Sequence, residues 1–368
     1  MTRHTPLLRR RFLRDIGLAW VGFAFTACIP SLASGAGACP SLDGRTIRWI
    51  VPWALGGGYD TYSRLVAPFY AEALGASIQL ENMPGAAGLV GARAINRSRP
   101  DGLTIGIVTA AGLMSTALVG GDQIPDPAAD FTLLARVGGS QHVWASAADS
   151  ELRSIDDLFG IVEKRPIIFG APDAGSISFI SIALGSDILK VPREIVAGYF
   201  NTSNVLLAAL RGEVDVVSMN FESALDSIEA GHLRPLLQLA DSAISEHPSL
   251  TGVPLLGGNG GIAADRARAL QLDPHAAEED ASALAALIGT SRIIVAPPGL
   301  DDALSSCMER ALVNTLTAPE LAAAAARLRF TLDVAGSDDV LAGLAVAAGR
   351  MSTFAPIVKR AILEARSY

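Results

Sequence analysis

The chain has 368 residues, 50% hydrophobic and 18% charged, with 36 Gly and 20 Pro, which excludes a disordered, collagen-like or low-complexity polypeptide and gives material for about two domains. Its formal charge of −8 argues against a nucleic-acid or anionic-membrane binder, whose affinity needs basic surface. Three cysteines supply neither a disulfide framework nor a zinc cluster.

The chain opens with Arg9-Arg10-Arg11-Phe12-Leu13-Arg14, then an apolar run over 16–29 and small residues. A basic head followed by a short apolar stretch is the layout of an export signal, here over 1–38. The run is shorter than the roughly 20 residues that span a bilayer. The Arg-Arg-x-Phe-Leu-Arg order resembles a twin-arginine signal; an ordinary secretory signal is the alternative. Ala36-Gly37-Ala38 fits cleavage before Cys39, whereas Phe25-Thr26-Ala27-Cys28 resembles a lipoprotein box that would tether the chain at Cys28. Residues 1–38 carry five Arg and one Asp, so the remainder carries about −12. The expected location is the periplasm.

Beyond the signal, strand and helix patterns alternate. Strands are predicted over 47–53, 77–81 and 103–108, with helices over 61–74 and 89–97 between them. A second unit follows, with strands over 167–169, 194–199 and 214–218 and helices over 177–189 and 204–211. Two helices close the chain, over 304–316 and 340–366, the second broken near Gly349. Such alternation predicts an α/β fold on parallel sheets. Residues 257–281 lack clean periodicity and read as an inserted loop.

Gly56-Gly57-Gly58-Tyr59-Asp60 ends a strand and opens a helix, with Asp60 or Thr61 as N-cap. Glycines there let N–H groups face outward, and with the helix dipole they attract carboxylate or phosphate; a tight turn with no ligand fits equally. Gly85, Gly88 and Gly91 do not match a dinucleotide fingerprint and read as close-packing positions. Arg99-Pro100-Asp101-Gly102 is a turn. Thr109-Ala110-Ala111-Gly112 lies at a strand's C-terminal end, where open α/β sheets bind ligands. Ser176 and Ser178 open another helix, as caps or anion donors. No nucleophile elbow, zinc-protease motif or Walker motif is present, the histidines are scattered, and Cys307 reads as a buried, inert thiol. No catalytic residue, metal site or cofactor is expected, and the chain is read as a non-enzyme.

These segments together resemble the solute-binding proteins of tripartite tricarboxylate transporters, the Bug family of periplasmic receptors. The resemblance runs through Ile47-Arg48-Trp49-Ile50-Val51-Pro52, Gly56 to Asp60, Glu81-Asn82-Met83-Pro84-Gly85-Ala86-Ala87-Gly88 and Pro100-Asp101-Gly102. It continues through Gly175-Ser176, Tyr199, Gly212-Glu213-Val214-Asp215-Val216, Ala230-Gly231-His232-Leu233-Arg234-Pro235-Leu236 and Ala296-Pro297-Pro298-Gly299, and covers roughly 45–365. It implies an α/β, two-lobed periplasmic-binding-protein fold of the Venus-flytrap, type II-like kind. Lobe 1 would comprise 41–140 plus 240–368 and lobe 2 141–239, with two strand crossovers. The implied function is capture of a small carboxylate in the interlobe cleft and delivery to the transporter's membrane subunits, with no nucleic acid. The alternatives are an exported α/β enzyme acting on a small anion, or a sensory binding protein.

The expected ligand-binding residues are Gly57, Gly58, Tyr59, Asp60, Thr109, Ala110, Ser176, Ser178, Tyr199 and Asn220. This chain has Phe179 and Phe200 where family members often have His and Lys. Losing two cations disfavours a second carboxylate, which predicts a monocarboxylate with an apolar or aromatic body.

Overall fold

The structure is a computed structural model and describes residues 39–119, 124–138, 141–244 and 247–367. The expected export signal and Cys28 lie outside the described residues.

The first half builds one sheet from β1 (Thr46–Val51), β2 (Ser77–Asn82), β3 (Thr104–Val108) and β4 (Thr132–Arg136), connected by α1 (Gly58–Leu74), α2 (Leu89–Asn96) and α3 (Ala110–Val119). The second unit contains β5 (His142–Ala147), α4 (Ile155–Ile161), β6 (Ile167–Ala171), α5 (Ile177–Ile188), β7 (Arg193–Ala197), α6 (Thr202–Leu210), β8 (Val216–Asn220), α7 (Phe221–Glu229) and β9 (Leu233–Gln238). The chain then forms α8 (Ile262–Ala269), α9 (Pro274–Gly289), β10 (Ile293–Ala296), α10 (Asp302–Leu316), α11 (Pro319–Arg327), β11 (Ala335–Gly336), α12 (Ser337–Gly349), α13 (Met351–Glu364) and β12 (Arg366–Ser367).

Two six-stranded sheets result, ordered β11-β4-β10-β3-β1-β2 and β12-β7-β6-β8-β5-β9. Neither is wholly parallel, contrary to the sequence expectation. In the first, β10 runs antiparallel to both β3 and β4; in the second, β5 runs antiparallel to both β8 and β9. Alternating side chains of β1 serve opposite faces: Ile47, Trp49 and Val51 join the α1/α10 core, and Ile50 joins the α2/α12 core. Trp49 meets Tyr70 of α1 edge-on at 6.5 Å. In the second sheet Trp144 packs on Phe169 at 4.9 Å, within a core closed by α5, α9 and α13.

The expected loop over 257–281 is instead α8 and the first half of α9. Asp273 caps α9 through the His275 N–H, with Pro274 at the first helical position. The residues buried over α8 and the first half of α9 are small, Ala263, Ala267 and Ala281, and the large apolar residues Leu284, Leu287 and Ile288 come only later in α9, beyond that stretch. The chain also crosses between sheets once more than expected. α12 packs on β4, but α13, after a 67° bend at Arg350, packs on α5, and β12 pairs with β7. Residues 351–367 therefore sit with the second sheet although they fall within the 240–368 segment expected in lobe 1. Among the described residues no single helix is long and apolar enough to cross a membrane, and α12 and α13 bury Leu344, Ala347, Phe354 and Val358 in the cores.

Cys307 is not an inert thiol. It is disulfide-bonded to Cys39 across 268 residues of sequence, with Cα atoms 5.7 Å apart. The turn after Cys39 buries Leu42 in the core formed by α1 and α10, which brings the first described residue onto α10. We expect Cys307→Ser to lower the unfolding free energy by about 2–5 kcal/mol in urea melts, with reductant bringing the wild type to the same level. Coincident midpoints for variant and oxidised wild type would contradict a stabilising bond.

His142, at the start of β5, is buried, and its Nδ1 lies 3.4 Å from Ser218 Oγ, which in turn lies 2.7 Å from Ser181 Oγ. Burial, and secondarily the nearby Arg292 charge, push its imidazole down to about 3. Between pH about 6.5 and about 3 the unfolded chain takes up a proton that the folded chain refuses. Stability therefore falls with acidification across that window, by at most about 1.4 kcal/mol per pH unit. His142→Asn is expected to remove that part of the slope in denaturation series from about pH 7 to pH 4.5. An unchanged slope would contradict a neutral, buried imidazole.

Candidate functional site

The strand β1 gives way at Pro52, and the chain turns at Gly56, whose φ is +79°, into α1. The N-cap is Gly57, with extended backbone and no side-chain cap, rather than Asp60 or Thr61. Asp60 is the third helical residue, and its carboxylate accepts from the Gly56 N–H, Arg64 Nε and Asn82 Nδ2, each at 2.9 Å. Burial pushes the Asp60 carboxyl up, but the bonds from Arg64, Gly56 and Asn82 and the Arg64 charge outweigh it and hold the group below its ordinary value. Asn82 Nδ2 also donates to the Trp53 carbonyl at 2.9 Å, which ties the loop to the end of β2. The first-turn N–H groups of Gly58, Tyr59 and Asp60 precede the first i→i−4 bond and carry the positive end of the helix dipole.

Tyr59 stacks on Trp53 with ring centroids 3.7 Å apart and 17° between planes. Tyr59 as a whole is half-buried. Burial raises the phenol above its ordinary value, opposed by the Arg292 charge and by hydrogen bonds with the Thr109 and Ser291 side chains and the Arg292 backbone. Thr109 is thereby joined to the α1 turn. Behind this pair, a Cβ on Gly91 would stand 2.8 Å from Pro52 and one on Gly88 2.9 Å from Trp53. These glycines are packing positions, as read from the sequence. Pro52, Trp53, Val108, Thr109 and Leu113 line a narrow apolar crevice beside them.

The residue that sequence reasoning missed is Arg292. It lies just ahead of β10 at φ +53°, 5% exposed, with its guanidinium 4.3 Å over the Tyr62 ring. A Cβ on Gly58 would lie 4.0 Å from Arg292 Nη2, so the cation sits beneath the first residue of α1. Glu222 of α7 faces it at 3.7 Å. The Glu222 carboxylate accepts from the Thr331 N–H at 2.6 Å and lies 2.9 and 3.0 Å from the Tyr62 hydroxyl, which is also 2.8 Å from the Thr331 carbonyl. A carboxylate from the second sheet's unit thus docks in a cradle of the first sheet's unit. Arg329 extends the junction to Asp226 and Glu229 of α7, at 3.3 and 2.5 Å. The only sequence trace of Arg292 is a cation ahead of the apolar run Ile293-Ile294-Val295-Ala296, and many surface arginines look the same.

The remaining expected residues are placed unevenly. The Ala110 N–H donates to the Thr290 carbonyl at 3.1 Å, so it is occupied within the chain, next to the Ser291–Arg292 segment. Ser176 caps α5, accepting from the Phe179 N–H at 3.2 Å and donating to the Asp173 carbonyl at 2.7 Å. Ser178 is buried in the first turn of α5, and Tyr199 is buried among Ala145, Val205, Val217 and Leu233. Asn220 caps α7 through the Glu222 N–H at 3.0 Å. Its Nδ2 is buried with no hydrogen-bond partner among the described residues, a state that costs about 1–3 kcal/mol for a donor. Phe179 lies in the core of the second sheet, and Phe200 is 91% exposed. Neither forms an aromatic wall beside Tyr59, so the expected preference for a monocarboxylate loses that support.

A family model described as "Tripartite tricarboxylate transporter family receptor" matches residues 62–269, more than half of the chain. Protein BugT of Bordetella pertussis is 26% identical over 223 residues, covering 58% of this chain and 66% of that one. Among solved structures, MatC from Rhodopseudomonas palustris with bound malate is 21% identical at a TM-score of 0.61, covering 85% of this chain and 99% of that one. R. palustris Rpa4515 with adipate is 20% identical at a TM-score of 0.64, covering 85% and 97%. The fold is that of the two-lobed periplasmic binding proteins. The chain belongs to the receptor family of the tripartite tricarboxylate transporters.

Proposed function

We propose that this receptor, exported to the periplasm, holds a small carboxylate between its lobes and delivers it to the membrane subunits of a tripartite transporter. The observation that carries the reading is the open first turn of α1 above the buried Arg292 guanidinium. A chain of net −8 attracts an anion only through such local donors, because its overall field repels it. One ligand carboxylate takes the N–H groups of Gly58 and Tyr59. Asp60 acts as the brace that aims them, and Thr109 fixes the Tyr59 hydroxyl. The buried Nδ2 of Asn220 supplies a donor from the other lobe. Solved members of this fold held malate and adipate, both carboxylates, which supports the ligand class.

Strand pairing supports a division in which β1–β4, β10 and β11 centre one lobe and β5–β9 and β12 the other, with 257–289 lying against both. Export is supported by the signal-like 1–38 segment and by the Cys39–Cys307 bond, since disulfides persist in oxidising compartments. A tether at Cys28 remains compatible with that bond, which uses the other two of the three cysteines.

Gly58→Val tests the site. The added Cβ meets only Arg292 Nη2, at 4.0 Å, so it causes no backbone clash, and the branched side chain adds bulk beside the first-turn N–H groups. Calorimetry with adipate, malate and a panel of monocarboxylates is expected to show binding weakened at least tenfold, with an unchanged circular dichroism spectrum. Unchanged affinity in the folded variant would place the site elsewhere.

A further inference from the structure

Arg292 and Glu222 form a buried pair whose side chains are 6% and 8% exposed, at the foot of the α1 turn. At that depth ions of the solvent screen little, so each charge acts strongly on whatever sits a few ångströms away. Resting on the receptor reading above, we infer that Glu222 is a specificity-determining counter-charge: an internal carboxylate that neutralises Arg292 and so limits how much negative charge a ligand can bring to the site.

Three observations support the role. Glu222 approaches Arg292 from the opposite sheet's unit, and its oxygens are held in place by the Thr331 N–H and the Tyr62 hydroxyl. The cation it faces lies directly beneath Gly58, so the charge left over on the pair is felt at the first turn of α1. The same turn is held by Asp60, whose charge is matched by Arg64, so the Arg64–Asp60 pair adds no net charge beside Arg292. With Glu222 ionised the pair sums to zero, and only neutral donors, the backbone N–H groups and the Asn220 amide, receive the ligand. With Glu222 made neutral the pair carries a net positive charge, and a second ligand carboxylate is favoured.

The test compares adipate with hexanoate, which share a six-carbon chain and differ by one carboxylate. In the wild type, hexanoate is expected to bind at least as tightly as adipate. Glu222→Gln, which keeps the shape of the side chain, is expected to shift the affinity ratio toward adipate by at least tenfold at low salt. Glu222→Asp, which keeps the charge, is expected to leave the ratio within threefold of the wild type. Adipate binding tenfold tighter than hexanoate in the wild type would overturn the inference even if no variant folds. So would a ratio unmoved in E222Q with both acids weakened alike, the result of a purely structural contact. Wild-type binding of neither acid, nor of any in the calorimetry panel, would remove the receptor reading and this inference with it, whereas binding with an unmoved ratio removes the inference alone.

Discussion

Burying a guanidinium costs several kcal/mol unless its charge is matched nearby, and the junction of the two sheets is organised around meeting that cost at Arg292. Tyr62 gives it an aromatic face and Glu222 a carboxylate. Glu222 in turn needs the Thr331 N–H, so four segments far apart in sequence converge on one charge. Because Glu222 belongs to the unit of the second sheet and the other three to that of the first, this convergence also fixes how the start of α7 sits against α1. The helix end that receives the ligand in our account is therefore set in position by a charged pair beneath it and by Asp60 in front of it.

The α1 entrance is readable in the sequence because its chemistry is local: three glycines after an apolar strand and before a helix permit the turn, with positive φ at Gly56, that joins the two. What those residues do individually was less readable. Asp60 lies on the expected site, but its partner Asn82 is 22 positions away, and only the fold shows that the carboxylate is spent inside the chain. The sequence places Tyr59 beside the ligand. Its stacking on Trp53 and bonding to Thr109 follow from tertiary packing that periodicity cannot report.

The misreadings share a physical origin. Residues 257–281 looked like a loop because their buried faces are alanine, which leaves little hydrophobic contrast. Cys307 looked inert because a partner 268 residues away leaves no spacing signal. Phe179 and Phe200 were expected near the ligand on positional resemblance alone, and one lies in a core while the other faces solvent. The third passage between sheets was hidden in what reads as one broken helix, because a bend after Gly349 looks the same in sequence whether the next turn stays with its sheet or leaves it. The α/β alternation, by contrast, is legible over β1–β3 and β6–β8 with the helices between them, whereas β4, β5, β9 and β10 are not marked as strands in the sequence, and β5 and β10 run antiparallel to their neighbours. Both are short apolar runs whose polarity in the sheet is decided by where the chain crosses.

Everything above the Arg292–Glu222 pair turns on a ligand carboxylate at the first turn of α1. Amide-resolved NMR of the nitrogen-15-labelled mature chain, titrated with adipate and with hexanoate, tests it most directly. The amides of Gly58 and Tyr59 are predicted to show the largest shifts on saturation, with the Arg292 side-chain resonance moving in step. Saturable binding that leaves those amides unmoved while the first turn of α5 carries the largest changes would contradict the claim and place the carboxylate in the other lobe.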